Sequence, residues 1–370
     1  MDVTDAEVII IGGGLSGLMA ARRLHAEGVR FLLIEAGSRL GGRVLTADDT
    51  GAPASDGFDL GASWFWPHVQ RDLAVLIDDL GLQCFAQDFA GDVVFERMSR
   101  ETPQRYRPLD NKAQSMRLAG GTATLVEALA RGLPAPSLCL GERVMHLILR
   151  AGAVDVIGMA EGGARARSAG HVIAALPPRL LEATVSISPA VEAAAAERWR
   201  ATATWMAPSA KFFAFYDQPF WREAGLSGTA QSFVGPMAEV HDATTASGAA
   251  ALMGFVSLGA DRRAALGREA LAKACVAQLA RIFGPEAGQP HRTLVKDWAT
   301  DGLTATDLDR SAGAHPAAAD EPWLAGRWAE HLRLAGSETS RFEPGFMAGA
   351  IEAGRAAAEA VLARLRVGPA

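Results

Sequence analysis

Lysine is scarce in this chain. Of 36 basic residues only four are lysine: Lys112, Lys211, Lys273 and Lys296. Cysteine is scarcer still. Cys84, Cys139 and Cys275 lie far apart and form no CxxC pair, which excludes a disulfide framework or a cysteine-rich zinc site and suits a reducing cytoplasm. No basic excess is present. The formal net charge is −6, so the composition argues against a nucleic-acid binder. There is no HExxH or other metal spacing, so no metal is expected, and no GxSxG to support hydrolase chemistry. The first long apolar run is broken by Gly12, Gly13 and Gly14, so no membrane span is expected. The acidic start (Asp2, Asp5, Glu7) is unlike the basic start of a secretory signal, and the last residues form no hydrophobic tail, so the expected location is cytoplasmic. No internal repeat is visible. Apolar residues at 49% and charged residues at 21% exclude global disorder, and 370 residues make room for about two domains.

What is present is concentrated at the two ends. Glu7-Val8-Ile9-Ile10-Ile11 is a short, continuously apolar, β-branched run that reads as a buried parallel strand. Gly12-Gly13-Gly14-Leu15-Ser16-Gly17 follows at once and opens a helical pattern that Gly28 ends. A second strand over residues 29–34 leads to Glu35. Gly12, Gly14 and Gly17 make G-x-G-x-x-G between a strand and a helix, the context in which that spacing binds a dinucleotide. Gly12 permits the tight turn, Gly14 lets backbone N–H groups approach a pyrophosphate, and Gly17 lets the helix pack close to the strand. Glu35 is suited to accept from both ribose hydroxyls and disfavours a 2′-phosphate. Arg43, after Gly41 and Gly42, can offer a fork to phosphate oxygens. Residues 58–64 read as another strand ending in Gly61-Ala62-Ser63-Trp64, small enough for a planar ligand to lie against the backbone.

These segments resemble the flavin-containing amine oxidase superfamily, which includes the monoamine and polyamine oxidases. The resemblance continues through Gly120-Gly121-Thr122, Ala174-Ala175-Leu176-Pro177-Pro178, Lys211 with Pro219-Phe220-Trp221-Arg222, Gly336-Ser337-Glu338-Thr339, and Gly345-Phe346-Met347, in family order over almost the whole chain. It implies an α/β fold of the glutathione-reductase type: a discontinuous Rossmann-type FAD-binding domain (residues 1–75, 118–200 and 290–370) and a smaller α+β substrate domain with a mixed sheet (76–117 and 201–289). By resemblance Gly12, Gly14, Leu15, Ser16 and Gly17 surround the pyrophosphate, Glu35 and Ala36 the adenosine ribose, and Arg43 the phosphate. Gly61, Ala62, Ser63 and Trp64 run near the isoalloxazine, with Trp298 packed nearby. Val144 meets the adenine with its backbone, Gly336, Ser337 and Glu338 open toward the ribityl chain, and Gly345, Phe346 and Met347 start a last helix at the flavin's pyrimidine edge.

Lys211 is the expected catalytic residue. It interrupts an apolar strand in a chain that prefers arginine, and lysine, unlike arginine, can lose its proton when desolvated. The family keeps a lysine here that holds a water against flavin N5. The implied activity is oxidation of an amine to an imine by hydride transfer to N5, with O2 reoxidising the flavin to give H2O2. An amine is favoured over an amino acid because no arginine is assigned to a substrate carboxylate. Alternatives are a carbon–carbon desaturase resembling porphyrinogen oxidases, or a flavin-binding protein without turnover. A homodimer is left open. Four departures from the family pattern stand out. The substrate pocket should contain Trp66 and Phe346, but the second ring position falls near Leu308, with no Phe, Tyr or Trp from Leu303 to Pro316. No cysteine lies in that region, so FAD should be non-covalent. Glu35-Ala36-Gly37 lacks an arginine usual at the third position. Only about forty residues separate Leu80 from Gly120, which implies a reduced roof. Lys296 reads as a solvated strand residue.

Overall fold

Val8–Ile11 pairs in parallel with Phe31–Glu35 on one side and His171–Ala174 on the other. Leu138–Leu140 and Leu332–Leu334 extend the same sheet, giving an all-parallel five-stranded order with the first strand at its centre. Val8 to Ile11 are all buried, as a strand covered on both faces must be. Helix Leu15–Ala26 crosses from the first strand to the second and packs against the long last helix, Met347–Val367. This computed structural model describes residues 6–107, 115–311, 313–318 and 320–367. The expectations resting on residues 1–5 and 368–370, and the position of Lys112, lie outside the described residues.

A four-stranded sheet formed by Gly163–Ala169, Val154–Ala160, Arg143–Leu149 and Ser186–Ser188 lies beside the parallel one, and the two share an apolar cluster that includes Ile9, Ile34, Val144 and Leu147. A seven-stranded sheet forms the other half, in the order Arg292–Asp297, Ala210–Tyr216, Ala250–Val256, Met237–Asp242, Leu226–Ser232, Asp92–Glu96 and Gln104–Tyr106. It is mixed, with Leu226–Ser232 and Asp92–Glu96 parallel. Helix Arg268–Phe283 packs beneath it with Leu271, Cys275, Leu279 and Ile282 in a shared core, the face that its apolar spacing predicts. Arg292–Asp297 pairs with Ala210–Tyr216, so this strand sits in the seven-stranded sheet although it follows the boundary drawn at residue 290. The segment 58–64 also differs from expectation: only Phe58–Asp59 is strand, and the chain then turns. Leu60 N–H still donates to the Leu45 oxygen and a Cβ on Gly61 would stand 1.9 Å from the Arg43 carbonyl oxygen, so the segment stays pressed against residues 43–45. Among the described residues no helix is long and apolar enough to cross a membrane, and no cluster of side chains could hold a metal ion.

Candidate active site

A cavity of about 590 Å³ runs from the Gly12–Gly14 loop, between the parallel sheet and the seven-stranded sheet, to the start of the last helix. The glycines explain its shape at one end. Gly12 has φ +103°, and a Cβ on Gly17 would stand 1.9 Å from the Gly12 oxygen. Only glycine lets the helix start this close to the strand. The Gly41-Gly42 turn docks on this loop, with Gly41 N–H donating to the Gly13 oxygen at 2.8 Å. Gly14 stays open on its cavity side, where a Cβ would meet nothing nearer than 3.9 Å. The Glu35 carboxylate accepts from Gly13 N–H at 2.6 Å and Gly37 N–H at 2.7 Å, one bond to each oxygen. Each oxygen keeps a lone pair for a hydroxyl at the cavity wall.

Of the expected cofactor residues, Gly12, Gly14, Leu15, Ser16, Glu35 and Ala36 line this end of the cavity, and Val144 lines it from the neighbouring sheet. Arg43, Gly61, Ala62, Ser63, Trp64, Trp298, Gly336, Ser337, Gly345, Phe346 and Met347 line the remainder. Gly17 and Glu338 do not line it. Gly17 acts from behind, by the close approach described above. Ser16 is occupied as well, its hydroxyl donating to the Ala335 carbonyl.

Glu338 is fully buried, and the Arg43 guanidinium forks onto it at 2.6 and 3.1 Å. Trp205 N–H donates to the same carboxylate at 3.2 Å and the Ser337 hydroxyl at 3.1 Å. Arg43 therefore ties the Gly41-Gly42 turn to the segment before the last helix, and its charge is neutralised by Glu338. Removing it leaves a carboxylate buried without its cation. Arg43→Met is expected to lower stability by about 3 kcal/mol in denaturant unfolding, and the double variant Arg43→Met/Glu338→Gln to recover part of that loss.

Lys211 lies in Ala210–Tyr216, a strand buried at every position. Its Nζ donates to the Asp59 carbonyl at 3.0 Å, the Gly61 carbonyl at 2.6 Å and the Ser63 hydroxyl at 2.8 Å. Trp64 and Phe255 flank it, their ring centroids 5.6 and 5.5 Å from Nζ. Burial pulls its pKa down to about 7, opposed by the Asp59 carboxylate and reinforced by Arg117. Asp59 is itself pushed toward its neutral form by burial, against hydrogen bonds from Thr122 and Thr46, and among the described residues its Oδ2 has no hydrogen-bond partner. If Nζ loses a proton, the Ser63 hydroxyl can turn and donate to its lone pair, so both charge states can be accommodated.

The aromatic end is richer than expected. Trp64, Trp66, Trp205, Phe255, Trp298 and Phe346 all line the cavity. Trp66 stands perpendicular to Phe346 with centroids 6.4 Å apart. Leu308 is not brought there: it is 57% exposed. The short turn Asp307–Arg310 draws Asp309 inward to Arg179, Thr204 and Thr306, which leaves its neighbour Leu308 pointing outward. Lys296 also differs from expectation. It pairs directly with Lys211 across the sheet and sits half-buried, 4.1 Å from the Trp298 ring centroid and 3.3 Å from Asp301, which lines the cavity. Trp205, Met206 and Phe255 were missed. Phe255 lies opposite Lys211, which only the strand register reveals. Met206 takes φ 62° in the turn before Ser209, a left-handed conformation with no sequence signal.

Comparison with known proteins places this geometry. The profile of the family described as flavin containing amine oxidoreductase matches residues 84–362, about three quarters of the chain, and that of an NAD(P)-binding Rossmann-like domain matches residues 10–80. A Mycobacterium tuberculosis protein named as the flavin-containing monoamine oxidase AofH is 27% identical over 97% of each chain. A structure of putrescine oxidase bound to putrescine aligns with a TM-score of 0.81 at 22% identity, over 97% of this chain and 99% of that one. Cyclohexylamine oxidase from Brevibacterium oxydans aligns with 0.78 at 21% identity, over 98% and 100%. The parallel sheet with its glycine loop, the mixed second sheet and the chain order of the matched segments agree: this protein is a member of the flavin-containing amine oxidoreductase family.

Proposed function

We propose that the protein is an amine oxidase that holds FAD without a covalent bond and oxidises a primary or secondary amine. The observation that carries this reading is one continuous cavity that joins the glycine loop to Lys211 and a set of aromatic rings. The residues present fit an extended dinucleotide: an open glycine cradle at one end, and a helix N-terminus at Met347 at the other. None of the three cysteines lines the cavity, which supports non-covalent binding. All three are unpaired, in keeping with a reducing cytoplasm.

Bound flavin supplies the two-electron acceptor for a hydride equivalent from the carbon bearing the amine. The chain supplies position, dryness and charge. Aromatic walls exclude bulk water and disfavour the ammonium form of the substrate, so the neutral, reactive amine is the form accommodated. Of the arginines lining the cavity, Arg43 is committed to Glu338, Arg39 braces the Gly41-Gly42 turn and Arg143 neighbours Val144. A substrate carboxylate therefore finds no free guanidinium among the rings, which favours simple amines over amino acids. Lys211 brings a cation to the Gly61–Ser63 wall that loses its proton near neutrality. We assign the terminal acceptor as O2 and the reduced product as H2O2.

Anaerobic mixing with a panel of amines tests this. An amine should bleach the flavin band, and air should restore it with release of peroxide. Bleaching only by a cyclic hydrocarbon precursor would point to a desaturase, and bound flavin that no substrate bleaches would point to a non-catalytic flavoprotein.

A further inference from the structure

Oxidation of an amine with O2 as acceptor leaves one molecule of hydrogen peroxide in this cavity at every turnover. One molecule in about 590 Å³ amounts to roughly 3 M, so groups on the wall meet the oxidant there before bulk water dilutes it. Thiols and thioethers are the side chains that peroxide oxidises most readily. None of the three cysteines lines the cavity. Met206 and Met347 do, and Met347 is buried at the start of the last helix. Met206 is different. It is 37% exposed, in a turn with Trp205, Ala207 and Ser209, all of which line the cavity that Lys211 also lines. Among the described residues it is the one non-glycine residue with positive φ, a conformation that persists only where the surroundings fix it. Ala207 N–H donates to the Thr204 carbonyl at 3.2 Å and Ser209 N–H to the Met206 carbonyl at 3.0 Å. The Ser209 hydroxyl donates to Met206 Sδ at 3.5 Å, which leaves the second sulfur lone pair free. Met98, Met145 and Met159 are exposed at least as much, Met145 to the same 37%, yet none of them lines the cavity.

We propose that Met206 is a modification site, oxidised to its sulfoxide by the peroxide that the enzyme itself releases, and that the sulfoxide weakens the binding of apolar amines. This rests on the amine-oxidase reading. The free sulfur lone pair attacks one peroxide oxygen and forms the S–O bond. The O–O bond breaks, the proton on the transferred oxygen passes to the departing one, and water leaves. Sulfur gives up two electrons and the peroxide takes them, so no further reactant is needed. The Ser209 hydroxyl then donates to the sulfoxide oxygen, a better acceptor than the thioether, and so fixes a polar group beside Trp205 in a wall rich in aromatic rings. Each exposure is brief, so the change accumulates over many turnovers and slows the enzyme according to the work it has done.

The full-length holoenzyme is run through many turnovers in air with the best amine of the panel, with catalase in the buffer to destroy peroxide that escapes. Peptide mass spectrometry reads the added oxygen atom at each methionine. Met206 should be oxidised roughly three-fold further than Met145 or more. Hydrogen peroxide added to resting protein without catalase should erase most of that preference. The KM for the amine should rise roughly three-fold with flavin retained, and methionine sulfoxide reductases for both epimers should restore it. Met206→Leu should hold its own starting KM through the same number of turnovers. Peroxide production with Met206 oxidised no further than Met145 would overturn the proposal. So would a drift in the KM of Met206→Leu equal to that of wild type. A panel in which no amine yields peroxide would bring down the amine-oxidase reading itself, and the proposal with it.

Discussion

Replacing Lys211 by methionine should leave flavin bound and slow its reduction by amine or its reoxidation at least ten-fold, a barrier change of about 1.4 kcal/mol or more. Methionine matches the length of the buried stem and removes the cation and its three hydrogen bonds to the 59–63 segment. Rapid-mixing measurements of the two half-reactions decide it, and unchanged rate constants would remove the lysine from the mechanism. Stability gives a second readout. The folded Lys211 titrates near 7 and the unfolded one near 10.5. Between those values the unfolded chain binds more protons at this site, so its contribution to stability rises with pH across that window and is lost as pH falls through 7. The difference in unfolding free energy between wild type and Lys211→Met should therefore shift in favour of wild type from pH 7 to pH 10, with the effects of other titrating groups cancelling between the two proteins.

Gly17→Ala should cost about 3 kcal/mol of stability and most of the bound flavin. The added methyl would stand 1.9 Å from the Gly12 oxygen and 3.3 Å from Ala175 Cβ. Helix Leu15–Ala26 cannot simply retreat, because the last helix presses on its other side, where a Cβ on Gly354 would stand 2.2 Å from the Ser16 oxygen. Relief of the clash must open the phosphate cradle. Gly28→Ala is the comparison. Gly28 has φ +71° but nothing within 4 Å of its would-be Cβ, so only backbone strain opposes the change, about 1 kcal/mol, and flavin content should be untouched. Thermal unfolding and the flavin-to-protein ratio separate the two. Equal behaviour would show that the close approach at Gly17 does not matter.

The sequence was most informative where backbone geometry dictates residue type. The strand, glycine loop, helix and Glu35 lie within thirty residues, and each is required by local sterics, so their arrangement could be read directly. Lys211 was legible because a cation inside an apolar strand is unusual. What stayed hidden depends on contacts between distant segments. The bond of Arg43 to Glu338 joins residues far apart in the chain, and nothing near Arg43 foretells that partner. Leu308 sits at the expected spacing but is turned outward by its neighbour Asp309, whose partners Arg179 and Thr204 come from elsewhere. Lys296 reads as solvated by its own neighbours, yet the antiparallel register sets it beside Lys211 and over Trp298.

An FAD lying extended from the Gly12–Gly14 loop to the helix that begins at Met347 is what the proposed chemistry requires. The most direct test is to purify the protein, denature it with acid, and identify the flavin in the supernatant. The protein should be yellow and release one FAD per chain. Colourless protein that takes up no added FAD, or flavin that stays with the precipitate, would contradict it.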